Sequence, residues 1–120
     1  MKNFKRKKII CFDLDGVICI TKGGDYNNSK PIRKNIKKIN NLYKKFIITI
    51  FTARFMGRTR GNKKLAENLG KKFTLNQLKK WNVKYDNFYM GKPRYDYYVD
   101  DKSIFFKKDW VKYINSKLTL

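Results

Sequence analysis

Residues 8–16 read Lys8-Ile9-Ile10-Cys11-Phe12-Asp13-Leu14-Asp15-Gly16. A short, nearly continuous apolar run ends abruptly in two aspartates separated by one residue. Such a run fits a strand buried on both faces of a parallel sheet. Alternate residues of an extended chain point the same way, so Asp13 and Asp15 would leave the strand end together. The pattern repeats outward from here. Phe46 to Phe51 (FIITIF) is a second apolar run and closes on Thr52-Ala53-Arg54. Phe88 to Met90 closes on Gly91-Lys92-Pro93, and Tyr97 to Val99 closes on Asp100-Asp101.

Helical spacing fills the gaps. Between the first two runs, Ile32, Ile36, Ile39 and Leu42/Tyr43 recur along Pro31 to Lys45, with Pro31 suited to a first turn and Ser29 near the N-cap. Thr74 to Trp81 reads as a second helix capped by Thr74, with Leu75, Leu78 and Trp81 on one face. A last helix around Lys107 to Lys117 presents Trp110, Tyr113 and Ile114. The alternation predicts a three-layer, Rossmann-like α/β fold with a central parallel sheet, forming one domain over residues 1–120. What remains is a hairpin flap over 17–26, with Gly23-Gly24 at its tip, and a basic loop over 55–73. Neither is long enough to be a cap domain. In this class ligands sit at the carboxyl ends of the strands.

The chain of 120 residues is 42% hydrophobic, enough for a core and against intrinsic disorder. No apolar stretch approaches a membrane span, so no membrane partner is expected. The basic N-terminus runs into an apolar stretch that Asp13 interrupts at once, which is not a signal peptide. The expected location is therefore cytoplasmic. Without histidine, and with Cys11 and Cys19 far from metal-ligand spacing, zinc sites built on His, Ser-His-Asp triads and Cys-His nucleophiles fall away.

Lys and Arg number 30 against 9 Asp and Glu, a formal charge of +21. This excess suits a nucleic acid or another polyanion. It equally suits A/T-rich codons, which make Lys the default surface residue. Arg54, Arg58 and Arg60 stand apart, because the guanidinium fork recognises phosphate bidentately.

Four of the nine acidic residues follow predicted strands: Asp13, Asp15, Asp100 and Asp101. If those strands are neighbours, the carboxylates crowd and need a counter-charge. A hard divalent cation with oxygen ligands answers that need, and Mg2+ suits a site that grips phosphate. Thr52 and Arg54 at the second strand end and Lys92 at the third complete the inventory of a phosphoryl-transfer site. An Asp can then serve as nucleophile.

These residues resemble the motifs of the haloacid dehalogenase (HAD) superfamily of aspartate-nucleophile phosphotransferases. Asp13-Leu14-Asp15-Gly16-Val17 is similar to its first motif, Thr52 to its second, Lys92 in GKP to its third and Val99-Asp100-Asp101 to its fourth, all in family order. The stretch 25–31, FTAR, Met56, Gly61-Asn62 and YVDDKSI further resemble small capsule and lipopolysaccharide phosphatases. The resemblance implies an Mg2+-dependent phosphatase without a cap. Asp13 would attack phosphorus and ligate Mg2+. Asp15 would be general acid, then base, and lend its carbonyl to the metal. Thr52 and the Ala53 N–H would bind phosphate oxygens, Lys92 would neutralise charge, and Asp100 or Asp101 would complete the metal shell. Lys92 lies close before Asp100; should the segment between them fail to hold both a turn and a strand, Lys102 is the substitute.

An uncapped site is either open to large substrates or closed by a neighbouring subunit in a homo-oligomer. The basic loop is either a solvated surface or a lip on which Arg54, Arg58 and Arg60 draw in a small anionic phosphorylated substrate and grip its second acidic group. Asp25 and Tyr26 on the flap are candidates to meet the leaving group, Tyr26 being equally a candidate for simple packing. The substrate expected is a small sugar phosphate. The rival readings are a nucleotidase or polynucleotide end phosphatase and, last, a non-catalytic nucleic-acid-binding protein.

Overall fold

The computed structural model describes residues 8–104 and 110–118. Strand β1 (Ile9–Phe12) is followed by a small antiparallel pair, β2 (Cys19–Ile20) and β3 (Lys30–Pro31). Helix α1 (Arg33–Leu42), strand β4 (Ile47–Thr52), helix α2 (Lys63–Lys80), strand β5 (Asn87–Met90) and helix α3 (Trp110–Lys117) complete the order. The main sheet is parallel, in the order β1-β4-β5. Phe12 lies beside Ile50 and Thr52 beside Met90, so the three carboxyl ends share one edge. This is the expected three-layer, Rossmann-like arrangement, and no cap domain interrupts the described residues.

The central strand explains the sheet's anchoring. Ile48 and Ile50 are fully buried, and Thr49 and Thr52 between and after them are buried too. The main core gathers Phe12, Leu14, Ile18, Ile36, Ile39 and Leu42 with Leu78, Trp81, Trp110 and Ile114. Each such side chain removed from water contributes about 1.5–3 kcal/mol. Trp110 meets Phe12 with ring centroids 5.7 Å apart, which brings α3 to the sheet. Two amides tie α1 in place: Asn35 donates to the Val17 carbonyl at 2.8 Å, and Asn40 both donates to Asn82 O and accepts from Lys84 N–H.

Three expectations need correction. The basic loop does not extend over 55–73, because α2 begins at Lys63, capped by the Asn62 side chain, which accepts from Leu65 N–H at 3.0 Å. Its buried stripe is Ala66, Gly70, Thr74 and Leu78, while Leu65 and Leu69 point outward. The flap does not close over 17–26. Val17 and Ile18 belong to a tight turn whose N–H groups donate to Leu14 O, and the strand pairing joins Cys19–Ile20 to Lys30–Pro31. The tip carries the Gly23-Gly24 turn and then a 3-10 turn at Tyr26–Asn28. The third correction is that Tyr97 to Val99 forms no buried strand. Tyr97 is 92% and Val99 98% exposed, and β1 has no second partner among the described residues. The tyrosines gather instead on Lys92, whose ammonium lies 5.1 Å from the Tyr95 ring centre and 5.0 Å from that of Tyr98. Of the last predicted helix, residues 107–109 lie outside the described residues.

Candidate active site

The shared edge sets the site. Asp13 leaves β1, and Lys92 lies two residues past β5, its N–H donating to Thr52 O at 3.2 Å so that the ladder with β4 continues one step beyond β5. The Lys92 ammonium then stands 3.8 Å from Asp13 Oδ2. Asp13 Oδ1 accepts from Leu14 N–H at 2.8 Å. Burial pushes the Asp13 carboxyl above the usual aspartate range; the Lys92 charge and the Leu14 N–H offset only part of that. Burial pulls on Lys92 in the opposite sense, but its hydrogen bond with Tyr95 and the Asp13 charge outweigh it and hold the ammonium above the ordinary lysine value.

Asp15 meets a different environment. Arg54 Nε donates to its two oxygens at 3.2 and 3.0 Å, and Nη2 donates to Oδ1 at 2.9 Å. Thr21 Oγ1 adds a bond at 2.6 Å. Arg54 is only 1% exposed, and its Nη1 donates to Gln77 Oε1 at 2.6 Å and its Nη2 to Ser29 Oγ at 3.3 Å. Gln77 in turn donates to Tyr26 O at 2.6 Å, so α2, the flap and the end of β4 converge on one guanidinium. Cys19 packs beside them. Burial, with the Asp15 charge adding to it, pushes its thiol up to about 11, which makes it a core thiol with little nucleophilic character.

Above these residues opens a cleft of about 640 Å3, lined by Asp13, Asp15, Ala53, Arg54 and Lys92, with Tyr26, Arg58, Arg94 and Tyr95 at its walls. Two guanidinium groups lie over the Tyr26 ring, Arg54 at 4.6 Å and Arg58 at 5.1 Å from its centre. Phe55 lines the neighbouring cavity, packed against Tyr26, at φ 66°, a left-handed conformation that costs energy for a bulky residue. Its ring fills the space beside Gly70, where an added Cβ would lie 2.0 Å from Phe55 Cε2.

The structure thus brings Asp13, Asp15, Ala53, Arg54, Lys92, Tyr26 and Arg58 to one cleft. Thr52 lies beneath it, 1% exposed, its hydroxyl oxygen accepting from Arg54 N–H at 3.1 Å. Asp25 faces a neighbouring cavity and accepts from Asn28 Nδ2, and Arg60 lines a third cavity. Asp100 and Asp101 are exposed. Asp100 accepts from Tyr98 Oη and Lys102 N–H, closing a local turn. The segment after Lys92 holds no strand, the condition under which Lys102 was to replace it, yet Lys102 is exposed and it is Lys92 that stands beside Asp13; the short separation from Asp100 did not require a strand.

These aspartates carry oxygen donors, the kind Mg2+ takes, but the described residues do not gather them into one site. Asp13 offers a carboxylate under-compensated by its surroundings, and Asp100 exerts its charge on the same Cys11 thiol as Asp13 and Lys92 do. No group of three potential metal-binding side chains is drawn together among the described residues, because the segment bearing Asp100 and Asp101 is not laid along β1.

Sequence reasoning missed Thr21, Ser29 and Gln77, which complete the Arg54 network, and Arg94 across the cleft. A hydroxyl or amide inside a polar stretch carries no periodic signal. Arg94, directly after the Gly91-Lys92-Pro93 turn, could have been found as a second cation at that strand end.

No protein-family model matches this chain, and no curated protein does. Among solved structures it is similar to the crystal structure of a structural-genomics target from Vibrio cholerae, with 25% sequence identity, 93% of this chain and 99% of that chain covered, and a TM-score of 0.77. The likeness runs over nearly the whole of both chains and carries the α/β fold.

Proposed function

We propose that the protein is a phosphomonoester hydrolase of HAD type that acts in the cytoplasm on a small phosphorylated metabolite such as a sugar phosphate. The observation that supports it is the contrast at the strand ends. Asp13 faces an open cleft with, among the described residues, only an ammonium at 3.8 Å for a charge partner, whereas Asp15 two residues on is held by a guanidinium. A carboxylate short of partners beside a cation is where a phosphoryl group gains most.

In this reading an Asp13 oxygen attacks phosphorus, the bond to the leaving alkoxide breaks, and the alkoxide takes a proton from Asp15. Water then attacks the phosphorus of the aspartyl phosphate, gives a proton to Asp15, and releases phosphate and the free Asp13 carboxylate. Arg54 and Thr21 orient Asp15 for both transfers. Lys92 and the backbone at Ala53 bind the phosphoryl oxygens. Mg2+, held by Asp13 with Asp100 or Asp101, would neutralise charge between nucleophile and phosphate. Two guanidinium groups and the Phe55 ring already contact the Tyr26 ring, which leaves it poorly suited to stack a base and supports a sugar phosphate over a nucleotide.

The test is phosphate release from a panel of sugar phosphates with Mg2+. Release is expected from the wild type and lost with EDTA or Asp13→Asn; release that persists in Asp13→Asn overturns the mechanism.

A further inference from the structure

We propose that Arg58 and Arg94 form a second anion subsite in the cleft, so that the substrate carries another oxyanion, a carboxylate or a second phosphate, besides the phosphoryl group removed. This rests on the phosphohydrolase reading and narrows its substrate class.

The two arginines come from different strand ends, Arg58 from the loop after β4 and Arg94 from the segment after β5, and both line the cleft that holds Asp13 and Lys92. Gly57 lies between them. An added Cβ there would meet Arg94 Cδ at 3.4 Å, so the Arg94 side chain runs directly over a residue that presents no bulk of its own. Arg58 is exposed yet held in place. Its guanidinium lies 4.7 Å from the Phe55 ring centre and 5.1 Å from that of Tyr26, and Nη2 donates to Gly24 O at 2.9 Å. A side chain ordered in this way has already lost the rotamer freedom that binding would otherwise cost.

Neither guanidinium has a carboxylate partner among the described residues. In the same cleft Arg54 is neutralised by Asp15 and Lys92 stands beside Asp13, so the uncompensated positive charge is confined to Arg58 and Arg94. Beyond Gly57 a further cavity of about 510 Å3 shares Arg94 as its wall and adds Arg60 and Lys63, again without an acidic residue. Guanidinium forks match carboxylate and phosphate oxygens, and a dianionic ligand supplies at this spot the charge the chain lacks. A solvated basic surface would explain freely rotating lysines; it does not explain an arginine fixed by two rings and a carbonyl at the mouth of the cleft.

The experiment compares matched substrates. One pair is 3-phosphoglycerate against glycerol 3-phosphate, the other fructose 1,6-bisphosphate against fructose 6-phosphate. The member with the extra oxyanion is expected to be hydrolysed with kcat/KM about tenfold higher or more in at least one pair, and the responding pair tells carboxylate from phosphate. Arg94→Ala is expected to bring that ratio close to one, with Arg94→Lys in between. Arg94 is exposed, so it carries the test should Arg58→Ala fail to fold. Equal rates within both pairs, or a preference that survives Arg94→Ala, overturn the subsite. Calorimetric titration of Asp13→Asn with the same compounds reads the subsite without turnover. If no compound is hydrolysed, the phosphohydrolase reading fails, and the Arg94-dependent binding preference, present or absent, still decides on the subsite.

Discussion

Asp13 and Asp15 sit two residues apart on one strand end and have opposite surroundings. Asp15 is bound on both oxygens by a buried guanidinium and again by a threonine hydroxyl. Asp13 has one backbone donor and an ammonium beyond hydrogen-bond range. The first cluster is complete without a ligand and contributes to folding. The second is electrostatically unfinished, its carboxyl pushed upward by burial, and a phosphoryl group with its cation would complete it. Residues of one type and one motif thus divide into one held by side chains and one left facing the cleft, according to what the rest of the chain brings to them.

Exchanging each aspartate for its amide tests this division most sharply. Asp13→Asn should lower phosphate release by at least about a thousandfold, since the nucleophile is gone. The same change should leave the melting temperature unchanged or raise it, because folding favours the uncharged form of this group. Asp15→Asn should do the reverse to stability. It leaves the Arg54 guanidinium buried without its counter-charge, at a cost of about 3 kcal/mol in denaturant unfolding. Equal stability of the two variants would erase the distinction.

A smaller effect is expected where Phe55, the platform under Arg58, leans on α2. Gly70→Ala puts a methyl into the Phe55 ring and should destabilise by about 2 kcal/mol, with KM rising as Arg58 loses its platform. An unchanged melting curve would mean that the ring yields freely. The mildest probe is the pair of thiols, of which Cys11 is exposed and Cys19 buried. At pH 8 a disulfide reagent should modify Cys19 roughly a hundredfold more slowly than Cys11. With its thiol pushed up to about 11, Cys19 should gain reactivity only as pH climbs toward that value, not near 9.

Much of this was legible in the sequence. β1, β4 and β5 are apolar runs whose ends carry Asp13, Thr52 and Lys92, and the parallel sheet follows from them. The helix α2 was half hidden, because its buried stripe is Ala66, Gly70, Thr74 and Leu78 while two leucines face solvent, so hydrophobic periodicity points the wrong way. Glycines within and before it read as loop. The stretch Tyr97 to Val99 has strand-like composition, but neighbouring tyrosines gather on Lys92 instead, and among the described residues no strand pairs with the other edge of β1. Local pattern cannot register a cation that lies several residues upstream in sequence but adjacent in space. Arg54 shows the same limit: it was expected to meet substrate, and the structure gives it to Asp15.

That arginine has a consequence for how the molecule can vary. One side chain reaches Asp15 beyond β1, Ser29 on the flap, and Thr74 and Gln77 on α2. Exchanging any one member strands polar atoms belonging to the others, so the group behaves as a single heritable character.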